Sequence, residues 1–282
     1  MFEFLLSSAS ESWSYLTSHV AFIQTLVPSL LGAGVGAWMA QRIAARNKAN
    51  EELLKDVRAS NAAAAIAYSI VDVLISMKGQ CIKPMYESFN AEKARLRTFR
   101  SSAGSGADTY NFIADFRTIA DFKLPIEHLQ KIILERTSAS TKVISMVVIL
   151  DGILHNLETI ISARQDLIAE FKRNEAVTPY TYFGLPNPVD VDSRYTSTLQ
   201  ALYDLTDQAI SHSKVIADEM VVTGNLNKGK LPRKVRESTP TISSVDYSRH
   251  AALLPPIEKY KHLAEMFRVK PPHRGWRLPW RS

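Results

Sequence analysis

The residues whose types and spacing suggest chemistry are few. Asp151, His155 and Glu158 stand at i, i+4 and i+7, so a helix would place carboxylate, imidazole and carboxylate on one face, a donor set for a divalent metal. The same stripe runs on through Ser162 and Gln165, the composition of a solvated face, and that is the reading adopted. A di-iron bundle needs Glu-x-x-His on two helices, and the chain carries none. Asp190 and Asp192 form an Asp-x-Asp pair with no nucleotide-transfer context around it; capping of the next helix explains Asp192 or Ser193 more simply. Gly104-Ser105-Gly106 lacks the Lys-Ser/Thr that would open a phosphate-binding helix. Arg268 and His273 match an Arg-x4-His nuclease spacing, but Pro271 and Pro272 forbid the helix such a motif requires. Cys81 is the sole cysteine, which excludes a Cys-x-x-Cys site and a disulfide framework and suits a reducing compartment. His-Glu-x-x-His, Gly-x-Ser-x-Gly and Walker A patterns are also absent. The expectation is a protein that is not an enzyme and has no catalytic residues, no cofactor and no metal.

What organises the chain instead is the stretch Val20–Ala40. It lies within a 30-residue window, Ser12–Gln41, that holds no Asp, Glu, Lys or Arg, although 22% of the whole chain is charged. A helix of about 20 residues spans ~30 Å, the thickness of a bilayer's hydrocarbon core. Phe22, Ile23, Leu26, Val27, Leu30, Leu31, Val35, Trp38 and Met39 supply apolar area, while Gln24, Thr25, Pro28 and three glycines keep the insertion margin modest. Trp38 sits at one end, where an indole prefers the headgroup level, and Arg42, Arg46 and Lys48 follow at once. Residues 1–19 contain Glu3 and Glu11 but no Lys or Arg. The positive-inside rule then puts the N-terminus outside and the long C-terminal part in the cytoplasm. Within the span Gly32 and Gly36 form a small-xxx-small pair, echoed by Ala33/Ala37 and Gly36/Ala40, a face on which two membrane helices can approach closely.

The remaining chain reads as all-α. From Gln41 no Pro or Gly interrupts the helical pattern until Gly79. Val57, Ala64, Ala67, Val71 and Leu74 form one apolar stripe with Ser60 between them, and Ile66, Ile70, Val73 and Met77 form a second beside it. The small run Ala62–Ala67 calls for a close neighbour, and Asp72 reads as a partnered or edge carboxylate. Pro84–Arg100 suggests a short basic helix, residues 101–108 a flexible loop, and Asp108 the cap of a short helix bearing Phe112, Ile113, Phe116 and Ile119. A long element starts near Pro125 and ends near Asn174, with a break around Thr137–Ser140. Its residues 143–150 are apolar all round, too short a run to span a membrane, and are assigned to the bundle's centre. Residues 175–192 form a loop whose Tyr180, Tyr182 and Phe183 plug the end of the bundle, and a further helix, about 193–223, stops at Gly224 as a C′ residue.

Composition changes after Gly224. Residues 225–282 hold 13 Lys or Arg against 4 Asp or Glu, and seven of the 13 prolines. This is expected to be a loosely ordered arm with one short helix near Ile257–Phe267. In its last residues Trp276, Arg277, Trp280 and Arg281 alternate indole and guanidinium, a pattern suited to an anionic leaflet, with nucleic acid as the rival ligand.

The expected organisation is an outer segment 1–19, a transmembrane helix 20–40, a cytoplasmic antiparallel helical bundle 41–224 and a basic Pro-rich tail 225–282. The expected role is a single-pass, membrane-anchored interaction, scaffold or sensor module that oligomerises through Gly32, Ala33, Gly36, Ala37 and Ala40. Its partners would be the bilayer, anionic headgroups, a second copy and an unidentified protein. The alternatives are a membrane-acting effector whose span is triggered by the bundle, and a nucleic-acid-binding protein working through the tail.

Overall fold

The computed structural model describes residues 2–102, 110–120, 122–173, 177–186, 191–241 and 243–256, with side chains from residue 34 onward. Among these residues every regular element is helical and there is no strand. The elements are α1 (Phe2–Met77), a π-helical turn (Lys78–Ile82), α2 (Lys83–Ser102), α3 (Ile126–Arg136), α4 (Thr141–Arg173), α5 (Pro179–Phe183), α6 (Arg194–Lys230), α7 (Arg233–Ser238) and a 3-10 turn (Ser248–His250). The chain divides into two compact units, residues 1–54 and 55–282. In the first the described elements reduce to the N-terminal part of α1.

The second unit is built on the predicted stripe of α1. Val57, Ala64, Ala67, Val71 and Leu74 are fully buried, as is Ser60. Of the second stripe Ile70 is buried, Ile66 and Met77 are partly so, and Val73 is exposed, because it turns past the edge of the packed face. Helix α6 lies along α1: Asp207 meets Lys78, Asp218 meets Tyr68, Gly224 meets Ser60 and Asn61, and Asn227 meets Asp56. Helix α4 lies along α6, with Arg194 on Glu170 and Tyr195 against Phe171. The predicted side of α4, from Val143 through Phe171, is the buried one.

Four sequence-based expectations change here. α1 stops at Met77, beside Gly79, but the chain does not leave helical geometry there. Instead the Lys83 amide donates to the Lys78 carbonyl five residues back, so the chain passes through a π turn into α2. Pro84, one residue later, has no N–H to keep an α-helical ladder in register, and the shifted turn absorbs that loss. Gly224 does not terminate a helix. It is buried within α6, where a Cβ would come within 3.3 Å of Ser60 and Asn61, so the glycine serves close packing against α1.

The third change concerns residues 110–120, which are not helical. Their backbone groups are satisfied by side chains instead. The Arg164 guanidinium donates to the carbonyls of Arg117 (2.7 Å) and Asp115 (3.2 Å), Gln165 donates to Ile119 O (3.2 Å), and the Asp115 amide donates to the Tyr182 hydroxyl (2.9 Å). A helix would withdraw these groups from those partners. Asp108 lies outside the described residues. The fourth concerns residues 143–150, where Val148 and Ile149 face outward while Val143, Met146, Val147 and Leu150 are buried.

The loop 175–192 holds the one-turn helix α5, capped by Thr178 and ended by Gly184. Tyr182 and Phe183 are buried in the core against Phe89, Phe112 and Tyr195, with ring centroids 4.6–5.6 Å apart, while Tyr180 is only partly buried. Asp192 caps as foreseen, accepting from the Arg194 amide at 3.0 Å, while Asp190 lies outside the described residues. Gly184 has φ +57°, and a Cβ there would approach the Thr196 hydroxyl at 2.9 Å and the Ser193 backbone at 3.2 Å. Gly184→Ala is therefore expected to cost about 2 kcal/mol, from the left-handed backbone and the contact with main chain together. Urea unfolding followed by circular dichroism measures it; an unchanged midpoint would contradict this account.

The first part of the basic tail is ordered rather than loose. After α6 ends at Lys230, residues 231–241 and 243–254 pack back on the body through buried Leu231, Thr239 and Tyr247. Asn61 donates to Pro240 O (3.0 Å), Lys83 to Ala252 O (3.0 Å) and Lys78 to Leu253 O (2.8 Å). The short helix expected near Ile257–Phe267 lies outside the described residues.

Candidate membrane-interface site

Two helices among the described residues are long and apolar enough to cross a membrane, one running from Gly34 through the body and the other α4. The second was not anticipated from Val143–Leu150 alone, because its apolar residues are spread over an 18-residue window, and much of that face is packed in the core.

At the predicted interface the helical backbone of α1 is continuous. Trp38, Met39, Val35 and Ile43 are each about half exposed or more, so this stretch of α1 presents apolar side chains outward. The Arg42 guanidinium lies 5.3 Å from the Trp38 ring centroid, one turn further on, as cation–π geometry requires. Arg46 and Lys48 are exposed beyond it. Of the small-residue face, Ala37 and Ala40 are exposed and a Cβ built at Gly36 meets nothing within 4 Å. Gly32 and Ala33 precede the residues with described side chains. Trp276, Arg277, Trp280 and Arg281, like Arg268 and His273, lie outside the described residues.

The second unit is held by buried polar groups that sequence patterning did not single out. Lys78 and Asp207 form a fully buried ion pair, with the Lys78 ammonium also 4.8 Å from the Tyr203 ring centroid. Arg164 is buried, bonded to two carbonyls and to the Tyr195 hydroxyl (3.2 Å). Asp56 accepts from the Ser138 amide (2.8 Å) and from the Asn227 side chain. A charged residue on an apolar stripe is the one available sequence signal, and it applies to Lys78 and Arg164 equally without naming a partner. Asp72 is exposed; the Tyr247 hydroxyl donates to Tyr68 O (3.5 Å), and its pKa rises through burial and the Asp72 carboxylate. Tyr68 is pushed up to about 12 by burial and its bond to Asp218.

Asp151, His155 and Glu158 are all exposed, the solvated face expected of them, and the described residues contain no group of three His, Cys, Asp or Glu placed to hold a metal. A shallow cavity of about 340 Å³ is lined by Phe122, Lys123, Glu158, Ile161, Ser162 and Gln165. It brings one cation, Lys123, and one anion, Glu158, to the same cavity. Asp115 is the carboxylate with the clearest local control: the Arg117 guanidinium holds it below the usual range, against the opposing effect of burial. Its ionised form stabilises the fold above the ordinary carboxylate pKa of about 4, and that contribution is lost as pH falls through the lowered value. Arg117→Gln is expected to move the acid-unfolding midpoint, read by circular dichroism, to higher pH.

No family model, no curated protein and no solved structure matches this chain. Fold and site together define its class: an all-helical protein with helices long and apolar enough to cross a membrane.

Proposed function

We propose that this protein is a single-pass, membrane-anchored module, with Val20–Ala40 in the bilayer, the N-terminus outside and an antiparallel helical bundle in the cytoplasm. Its task is interaction rather than catalysis: it holds a partner-binding scaffold or sensor at the inner leaflet. The observation that carries this reading is the uncharged run Ser12–Gln41, whose described end exposes Val35, Trp38 and Met39 and closes on Arg42, Arg46 and Lys48. Apolar side chains left half exposed on a helix are costly in water and favourable in lipid, at roughly 25 cal/mol per Å². The pairing of α6 residues 207, 218, 224 and 227 with residue 78 of the π turn and residues 68, 60 and 56 of α1 supports the antiparallel arrangement. Close approach through Gly32, Ala33, Gly36, Ala37 and Ala40 would make the anchor a dimerisation face.

Cys81, the only thiol, provides the test. A membrane-impermeant maleimide should leave Cys81 unlabelled in intact cells and label it after lysis and denaturation, the latter removing burial as a cause of non-reaction. Labelling from outside would overturn the orientation, and recovery of the protein in the soluble fraction would overturn the anchor.

A further inference from the structure

We infer that the end of the body at which α1 enters it is an anionic-lipid docking surface. The inference deepens the membrane reading and rests on it. Its basis is an arrangement that the fold creates from three separate stretches of chain. Asp56, two residues into the second unit, accepts from Ser138 in the elbow between α3 and α4 and from Asn227 in the last turn of α6, while Lys230 donates to the Asn227 side-chain Oδ1 at 2.8 Å. One buried carboxylate thus pins three elements at the same end of the body.

Around that pin the charges are mostly cationic. Lys55 and Arg58 flank Asp56 on α1, Arg136 ends α3 at the elbow, and Lys230, Arg233, Lys234 and Arg236 belong to the end of α6 and to α7; all are exposed. The acids nearby are Asp56 itself, buried within the pin, the exposed Glu51 and Glu52 one turn before Lys55, Glu135, and Glu237, which is paired with Arg233. Leu134 and Leu226, 57% and 64% exposed, lie on the last turns of α3 and α6 among these cations. Cations interspersed with outward leucines match a headgroup layer, where ammonium and guanidinium meet phosphate and the leucines reach the acyl boundary. Because the anchor is covalently joined at Lys55, this surface works at high effective concentration near the leaflet, so weak individual contacts suffice. Each Lys or Arg near an anionic surface contributes roughly fivefold in binding.

The test uses the full chain in lipid nanodiscs, with Cys81→Ser as background and a fluorophore attached through Ser238→Cys on α7. Headgroup-labelled quencher lipids should quench it several-fold more in discs containing phosphatidylserine than in pure phosphatidylcholine discs, and raised salt should erase the difference. Arg136→Glu, remote from the tail in sequence, should remove most of that preference, with Arg136→Gln intermediate and both keeping the parent's circular dichroism. Equal quenching in the two lipids overturns the proposal. So does a preference that survives Arg136→Glu, or tight single-stranded nucleic acid binding without lipid preference. Failure of the protein to insert into discs at all would instead overturn the anchor reading together with this one.

Discussion

Replacing Lys78 by methionine is expected to destabilise the body by about 3–5 kcal/mol, the usual consequence of leaving one charge of a buried pair without its counter-ion. Both members are about 1% exposed, so water cannot solvate an abandoned Asp207. Lys78 also donates to Leu253 O and lies over the Tyr203 ring, so its loss frees the returning segment as well. The double variant Lys78→Met/Asp207→Leu is expected to recover most of the loss, since two apolar side chains of similar volume remove both desolvation costs. Arg233→Met, which breaks the exposed pair with Glu237, should change stability by less than about 1 kcal/mol. Denaturant unfolding of the solubilised full chain measures all three. If Lys78→Met behaves like Arg233→Met, the pair is not buried as described.

A second large effect is expected at the proposed anchor. Leu26 stands near the middle of the uncharged run Ser12–Gln41. An arginine at the centre of a membrane helix costs about 2.5–3.5 kcal/mol for insertion, and the favourable contribution of the leucine is lost with it. Against a modest insertion margin, weakened by Gln24, Thr25, Pro28 and the glycines, Leu26→Arg should shift the inserted-to-uninserted ratio by about two orders of magnitude. Gln41→Arg, at the edge of the run beside Arg42, should leave insertion intact and reinforce the orientation. Alkaline extraction of membranes, comparing pellet with supernatant, reads the result. Retention of Leu26→Arg in the pellet at the level of the parent chain would mean that some other segment holds the protein on the membrane. The second apolar helix, α4, would then be the one to examine by the same substitution, at its outward Val148.

Much of this protein was legible in one dimension because helices are written locally. The stripe Val57–Leu74, the buried side of α4, the break at Thr137–Ser140 and the run Ser12–Gln41 all follow from periodicity or composition within a few turns of chain, where each residue's neighbours are also its neighbours in sequence. The candidate interface residues Trp38, Arg42, Arg46 and Lys48 were legible for the same reason, since they adjoin the end of an uncharged run. Tertiary structure decided whatever depends on a partner far along the chain. Gly224 reads as a helix stop until Ser60 and Asn61 are seen to need its missing side chain. Residues 110–120 carry a helical pattern, yet Arg164, Gln165 and Tyr182 take their backbone groups and hold them open. Residues 231–241 and 243–254 are too polar to predict a packed strap, but buried Tyr247 and the carbonyls offered to Lys78 and Lys83 fix them in place. Lys78 and Asp207 stand 129 residues apart, and only their meeting makes either tolerable in the core. The physical reason is common to all four: local pattern sets which groups a segment must bury or satisfy, and only the folded chain determines which distant groups do so.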